Sequence, residues 1–153
     1  MDRVMDTIDK LDLKEHIAEL EVNGFTTIKG VLSEAQIELA KQAITARVEE
    51  KSGKPVDLET GEGYEGGWHY VPHLLYDDKV FEDILMEPKP LALLTYLLGE
   101  SCLLSSVGCH FKGQGGEPLL LHSDNANGLP QPFPSYAQIA NINYALSPYS
   151  KEE

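Results

Sequence analysis

His122-Ser123-Asp124 has the residue types and spacing in this chain that most directly suggest chemistry. Residues two apart on a strand share a face, so the imidazole and the carboxylate project together while Leu121 and Ser123 point the other way. A neutral imidazole beside an ionised carboxylate makes two corners of a facial triad. That arrangement holds Fe(II) and leaves positions open for a co-substrate and oxygen. The third corner would be a second histidine from elsewhere. His-x-Asp alone is a weak signal, and a structural or surface pair is the commoner outcome for the bare tripeptide. The surrounding segments carry the assignment.

The pair must be positioned by strands. Cys102 to Phe111 reads as a buried strand, Lys112 to Gly116 as a flexible turn, and Leu119 to Asp124 as a second strand. A loop with Pro130, Pro132 and Pro134 follows, and Tyr136 to Leu146 reads as a third strand. One face of that strand carries Ala137, Ile139, Asn141, Asn143 and Ala145, and two amides among small residues suggest the lining of a polar cavity. Three strands are too few to close a barrel or sandwich, and Ser150-Lys151-Glu152-Glu153 is a polar loop. The β region is therefore expected to be truncated.

The first half reads as helices with one short strand. Leu13, Ile17 and Leu20 repeat at helical spacing, with Gly24 as the stop. Phe25 to Lys29 is β-branched and aromatic and predicts a strand. Ser33 and Gln36 form a capping box, flanked by a Leu32–Ile37 hydrophobic staple. Ile37, Ala40, Ile44 and Val48 then make one apolar stripe. Gly53 to Gly67 is loop-like, a flap or a plain connector. Val80, Phe81, Ile84 and Leu85 mark another helix, which Pro88 breaks. Pro90 opens a further helix through Leu98, and Gly99 ends it. The helical part spans about 1–99 and the β part about 100–153.

The remaining histidines are weaker candidates. His69 and His73 lie four apart, but Pro72 between them opposes a regular helix. His110 reads as a core or edge histidine and His16 as a surface one. Trp68, Tyr70 and Phe133 could shape a pocket, although ordinary packing is the commoner role.

Composition narrows the classes. The 153 residues suffice for one domain. Twelve Lys plus Arg against 25 Asp plus Glu give a net charge of −13, which disfavours nucleic-acid binding. No apolar run reaches the length of a bilayer span. The N-terminus lacks a basic patch followed by an apolar stretch, so no secretory signal is read there. Cys102 and Cys109 lie an odd number of positions apart, on opposite faces of a continuous strand, so no disulfide is expected between them. Free thiols fit a reducing compartment, and the expected location is cytoplasmic.

From about Gly108 to Glu153 the chain resembles the phytanoyl-CoA dioxygenase family of iron(II)- and 2-oxoglutarate-dependent oxygenases. The resemblance rests on His122-Ser123-Asp124 followed by Asn125, on Leu129, Pro130, Phe133 and Pro134 of the proline-rich loop, and on Ala140-Asn141-Ile142-Asn143-Tyr144-Ala145-Leu146. Asn23 to Ser33 is similar to the phrase that opens the family's domain. The resemblance implies that 1–153 is a single domain, the N-terminal portion of a phytanoyl-CoA dioxygenase-like domain. Its fold would be α+β, a helical half packed on part of a double-stranded β-helix of the jelly-roll or cupin-like kind. His122 and Asp124 would be ligands of Fe(II), Asn143 would lie near 2-oxoglutarate, and the reaction would be hydroxylation of a small molecule. The family's distal histidine and its 2-oxoglutarate-binding arginine are expected beyond Glu153. Arg3 and Arg47 both lie in the helical half, and Lys151 is the only basic residue after Asp124. The chain alone is therefore expected to be inactive. The alternative is a truncated, non-catalytic member that acts as a binding or interaction module.

Overall fold

The computed structural model describes residues 2–57, 68–112, 120–122, 124 and 132–148. The chain divides into two compact units, one of Met1–Val31, Leu85–Leu104 and Leu121–Asn143, the other of Leu32–Ile84, Ser105–Leu120 and Tyr144–Glu153.

In the first unit, α1 (Asp2–Lys10) and α2 (Lys14–Asn23) are separated by a turn in which Asp12 takes a left-handed conformation, φ 56°. Aspartate is among the few non-glycine residues that adopt this region at modest cost. Ile8 and Leu13 are fully buried against Ala92 and Leu93 of α5 (Pro88–Leu98), with Ile17, Leu20 and Ile28 packed around them. α2 stops where its periodicity stops. Gly24 sits at φ 77° and its N–H bonds to the Leu20 carbonyl. The preceding helix ends at Leu85, ahead of Pro88 as predicted, and α5 begins at Pro88 itself rather than at Pro90, because the first turn needs no N–H from proline.

The predicted strand at Phe25 to Lys29 does not form. Among the described residues no strand pairs with it, and side-chain bonds engage Thr26 instead. His16 Nδ1 lies 2.7 Å from Thr26 Oγ1, and the Thr26 hydroxyl donates to Glu19. His16 is accordingly half-buried rather than a plain surface residue.

The second unit is organised on α3 (Glu34–Ser52). Ser33 caps it as predicted: Gln36 N–H donates to Ser33 Oγ at 3.2 Å and Ser33 N–H donates to Gln36 Oε1 at 2.9 Å. Ala40, Ile44 and Val48 are buried with Val56, Val71, Leu74, Val80, Phe81 and Ile84. β1 (Trp68–Val71) pairs antiparallel with β2 (Cys109–Lys112), with Val71 opposite Cys109 and Tyr70 opposite His110. Pro72 ends β1, and a 3-10 turn at Leu74–Tyr76 leads to α4 (Val80–Leu85). A Cβ at Gly108 would lie 2.5 Å from the Tyr70 hydroxyl oxygen, so a larger residue there must displace the Tyr70 ring.

Strand structure is thus narrower than predicted. Of the segment from Cys102 to Phe111, only Cys109 onward pairs. Leu120 to His122 and the described residues 132–148 lie outside any strand. A strand needs ladder bonds from a neighbour, and among the described residues only β1 and β2 supply them to each other. Residues 58–67 of the glycine-rich loop, the turn at 113–119 and the proline-rich stretch 125–131 lie outside the described residues. Among those described, no helix is long and apolar enough to cross a membrane.

Candidate metal centre

His122 and Asp124 are brought together. His122 Nε2 lies 3.2 Å from Asp124 Oδ1, and the two side chains are 52% and 44% exposed. The separation can be tested against a shared metal ion. Two donors each about 2.1 Å from one ion, at a right angle to each other, lie about 3 Å apart. The observed pair matches that spacing, and one imidazole nitrogen with one carboxylate oxygen suits Fe(II) chemically. The same distance also suits an ordinary hydrogen bond between the two groups. The donor set therefore fits an ion as two neighbouring ligands.

The other carboxylate oxygen has its own partner. Asn141 Nδ2 donates to Asp124 Oδ2, over a sequence separation of 17 residues. An ionised carboxylate offers only acceptors, so the amide must present its NH2 group. The sequence singled out Asn143 of the two amides. Asn143 is exposed in the structure, and Asn141 is the residue that meets the candidate ligand. Alternation placed both amides on one face, and that was the signal that could have flagged Asn141 as well.

The other histidines have different settings. His73 is exposed, takes φ 64° and lies edge-on to Tyr76, with ring centroids 6.4 Å apart. The His110 ring is 5.2 Å from that of Tyr70, its cross-strand neighbour. The side chains of Trp68 and His69 lie outside the described residues. Tyr70 is exposed and Phe133 is half-buried. Among the described residues, no group of three or more His, Cys, Asp and Glu side chains is gathered for a metal. Cys102 and Cys109 are both free thiols.

Arg47 is engaged elsewhere. It donates to Glu50 at 2.7 Å and lies 3.7 Å from Asp77, and its bond to Glu50 raises its pKa further.

No protein-family model matches the chain, and no solved structure matches it. Among curated proteins it is similar to dioxygenase af480 of Aspergillus fumigatus, with 30% identity over 149 residues. The alignment covers 93% of this chain and 46% of that protein. The chain thus spans about half the length of the curated relative it matches.

Proposed function

We propose that this chain is the N-terminal portion of an iron(II)- and 2-oxoglutarate-dependent dioxygenase domain of the phytanoyl-CoA dioxygenase type, acting in the cytoplasm on a small molecule. The observation that carries the proposal is the His122 Nε2–Asp124 Oδ1 approach at 3.2 Å. The similarity to a protein named as a dioxygenase supports it and points to oxidoreductase chemistry. The proposed fold is α+β, with the segments around the pair contributing part of a double-stranded β-helix.

In this reading His122 and Asp124 hold the metal, and Asn143 offers its amide to the co-substrate. Bound Fe(II) with 2-oxoglutarate supplies oxygen activation coupled to oxidative decarboxylation, and hydroxylation of a C–H bond is the default outcome. The chain's own contribution is positional. His122 gives a neutral nitrogen donor, and Asp124 gives a negative charge that offsets part of the ion's charge. By the resemblance, a second histidine and an arginine complete the site, and no residue of this chain is assigned to either role.

A second reading is a binding module without turnover. It draws on the same gap, since no residue of this chain is assigned as the second histidine or as the cation that a dianionic co-substrate needs.

Anaerobic Fe(II) titration tests the pair. The chain alone should bind weakly, His122→Ala and Asp124→Ala should each lose that binding, and no succinate should form. Unchanged affinity in either variant would refute the iron site. In the full-length domain, succinate release from 2-oxoglutarate should depend on both residues. Metal binding without any succinate release there would favour the binding module.

A further inference from the structure

We infer that Asn141 is a positioning residue for Asp124, fixing which carboxylate oxygen is presented beside His122. The inference rests on the reading of His122 and Asp124 as metal ligands.

Rotation about the last bond of an aspartate side chain is broad and nearly two-fold, so an exposed carboxylate presents either oxygen. Asp124 is 44% exposed, so core packing does not choose its orientation. Its two oxygens nevertheless have different partners. Oδ1 faces His122 Nε2 and Oδ2 accepts from Asn141.

An ion placed between His122 Nε2 and Asp124 Oδ1 would replace the contact between those two atoms. The Asn141 bond lies on the opposite oxygen and survives. The consequence is twofold. Binding starts from a carboxylate already turned toward the imidazole, which lowers the ordering cost of forming the site. Oδ2 is also occupied by a hydrogen-bond donor, so Asp124 binds through one oxygen rather than two. That leaves a further coordination position open for an exogenous ligand. Outer partners of metal-binding groups commonly act in this way, and removing one weakens metal affinity by about 10–100-fold. The exposure of this site sets the expectation at the low end of that range.

Asn141 is not itself a ligand here, since it meets Asp124 through its NH2 group. It is exposed, so substituting it removes no core packing. Its effect should appear in the metal's properties and not in the fold.

The test is Co(II) titration of the chain, followed by calorimetry and by the visible absorption of the bound ion, with far-UV circular dichroism as the folding check. Asn141→Leu removes the donor at nearly constant shape. Asn141→Ser shortens the side chain without adding apolar surface. Both should bind Co(II) about tenfold more weakly than the unmodified chain, with a shifted absorption band. Asn141→Gln, which keeps the amide, should recover part of both. If Leu and Ser variants match the unmodified chain in affinity and spectrum, the positioning role is overturned while the ligand pair stands. If Asp124→Ala binds Co(II) as well as the unmodified chain does, the ligand pair falls and the role of Asn141 falls with it.

Discussion

The Tyr144 hydroxyl donates to the backbone carbonyl of Ile84 at 3.1 Å, joining residues 60 apart in sequence. Ile84 lies in the last turn of α4, where carbonyls have no partner within the helix. Tyr144, one of the residues on which the family resemblance rests, thus has a structural task. Tyr144→Phe should keep the packing against the core and lose the bond, at a cost of about 1 kcal/mol. Urea unfolding should show a lower midpoint with an unchanged slope. An unchanged midpoint would mean that the bond contributes nothing.

The capping box at the start of α3 satisfies backbone donors that the helix leaves open. Ser33→Ala should cost about 1 kcal/mol, and Ser33→Asp should retain most of the stability. Thermal unfolding of the two variants side by side measures the difference. Equal losses in both would show that the cap hydrogen bond is not the cause.

The two thiols should differ in reactivity. Burial pushes the Cys109 thiol up, whereas Cys102 is exposed. The thiolate is the nucleophile, so a raised thiol reacts more slowly at a given pH. Brief iodoacetamide treatment of the native chain at mildly alkaline pH should label Cys102 first. Peptide mass mapping reads the order, and faster labelling of Cys109 would contradict its burial.

Tyr96 donates its hydroxyl to Glu21 at 3.0 Å, linking α5 to α2. That bond, with burial second, raises the Tyr96 pKa above the ordinary value of 10.0. Folding therefore favours the neutral phenol. The associated stability is present below pH 10 and is lost as pH rises through the raised value. Tyr96→Phe should cost roughly 0.5 kcal/mol near neutrality, small because the pair is exposed to solvent. The gap between the two proteins should shrink above pH 10. A gap independent of pH would exclude this origin.

Local signals were legible in the sequence. Ser33 and Gln36 predicted the start of α3, Ala40, Ile44 and Val48 its buried stripe, and Gly24 and Gly99 the ends of α2 and α5. Each depends on residues within a turn or two of one another, so chain chemistry alone carries the information. The candidate pair was legible for the same reason. His122 and Asp124 are two residues apart and meet in the structure, although Leu120 to His122 are not in the strand that the alternation predicted.

Tertiary structure decided the rest. Among the described residues it left Phe25–Lys29 and Tyr136–Leu146 without strand partners and paired Trp68–Val71 with Cys109–Lys112, because pairing depends on a partner distant in sequence. It half-buried His16 beside Thr26. It also separated two amides that the sequence could not rank. Asn141 and Asn143 share a residue type and a predicted face, and only the approach of a carboxylate 17 residues upstream distinguishes Asn141. Hydrogen bonds that span such separations depend on where the whole chain places its segments, which no local pattern records.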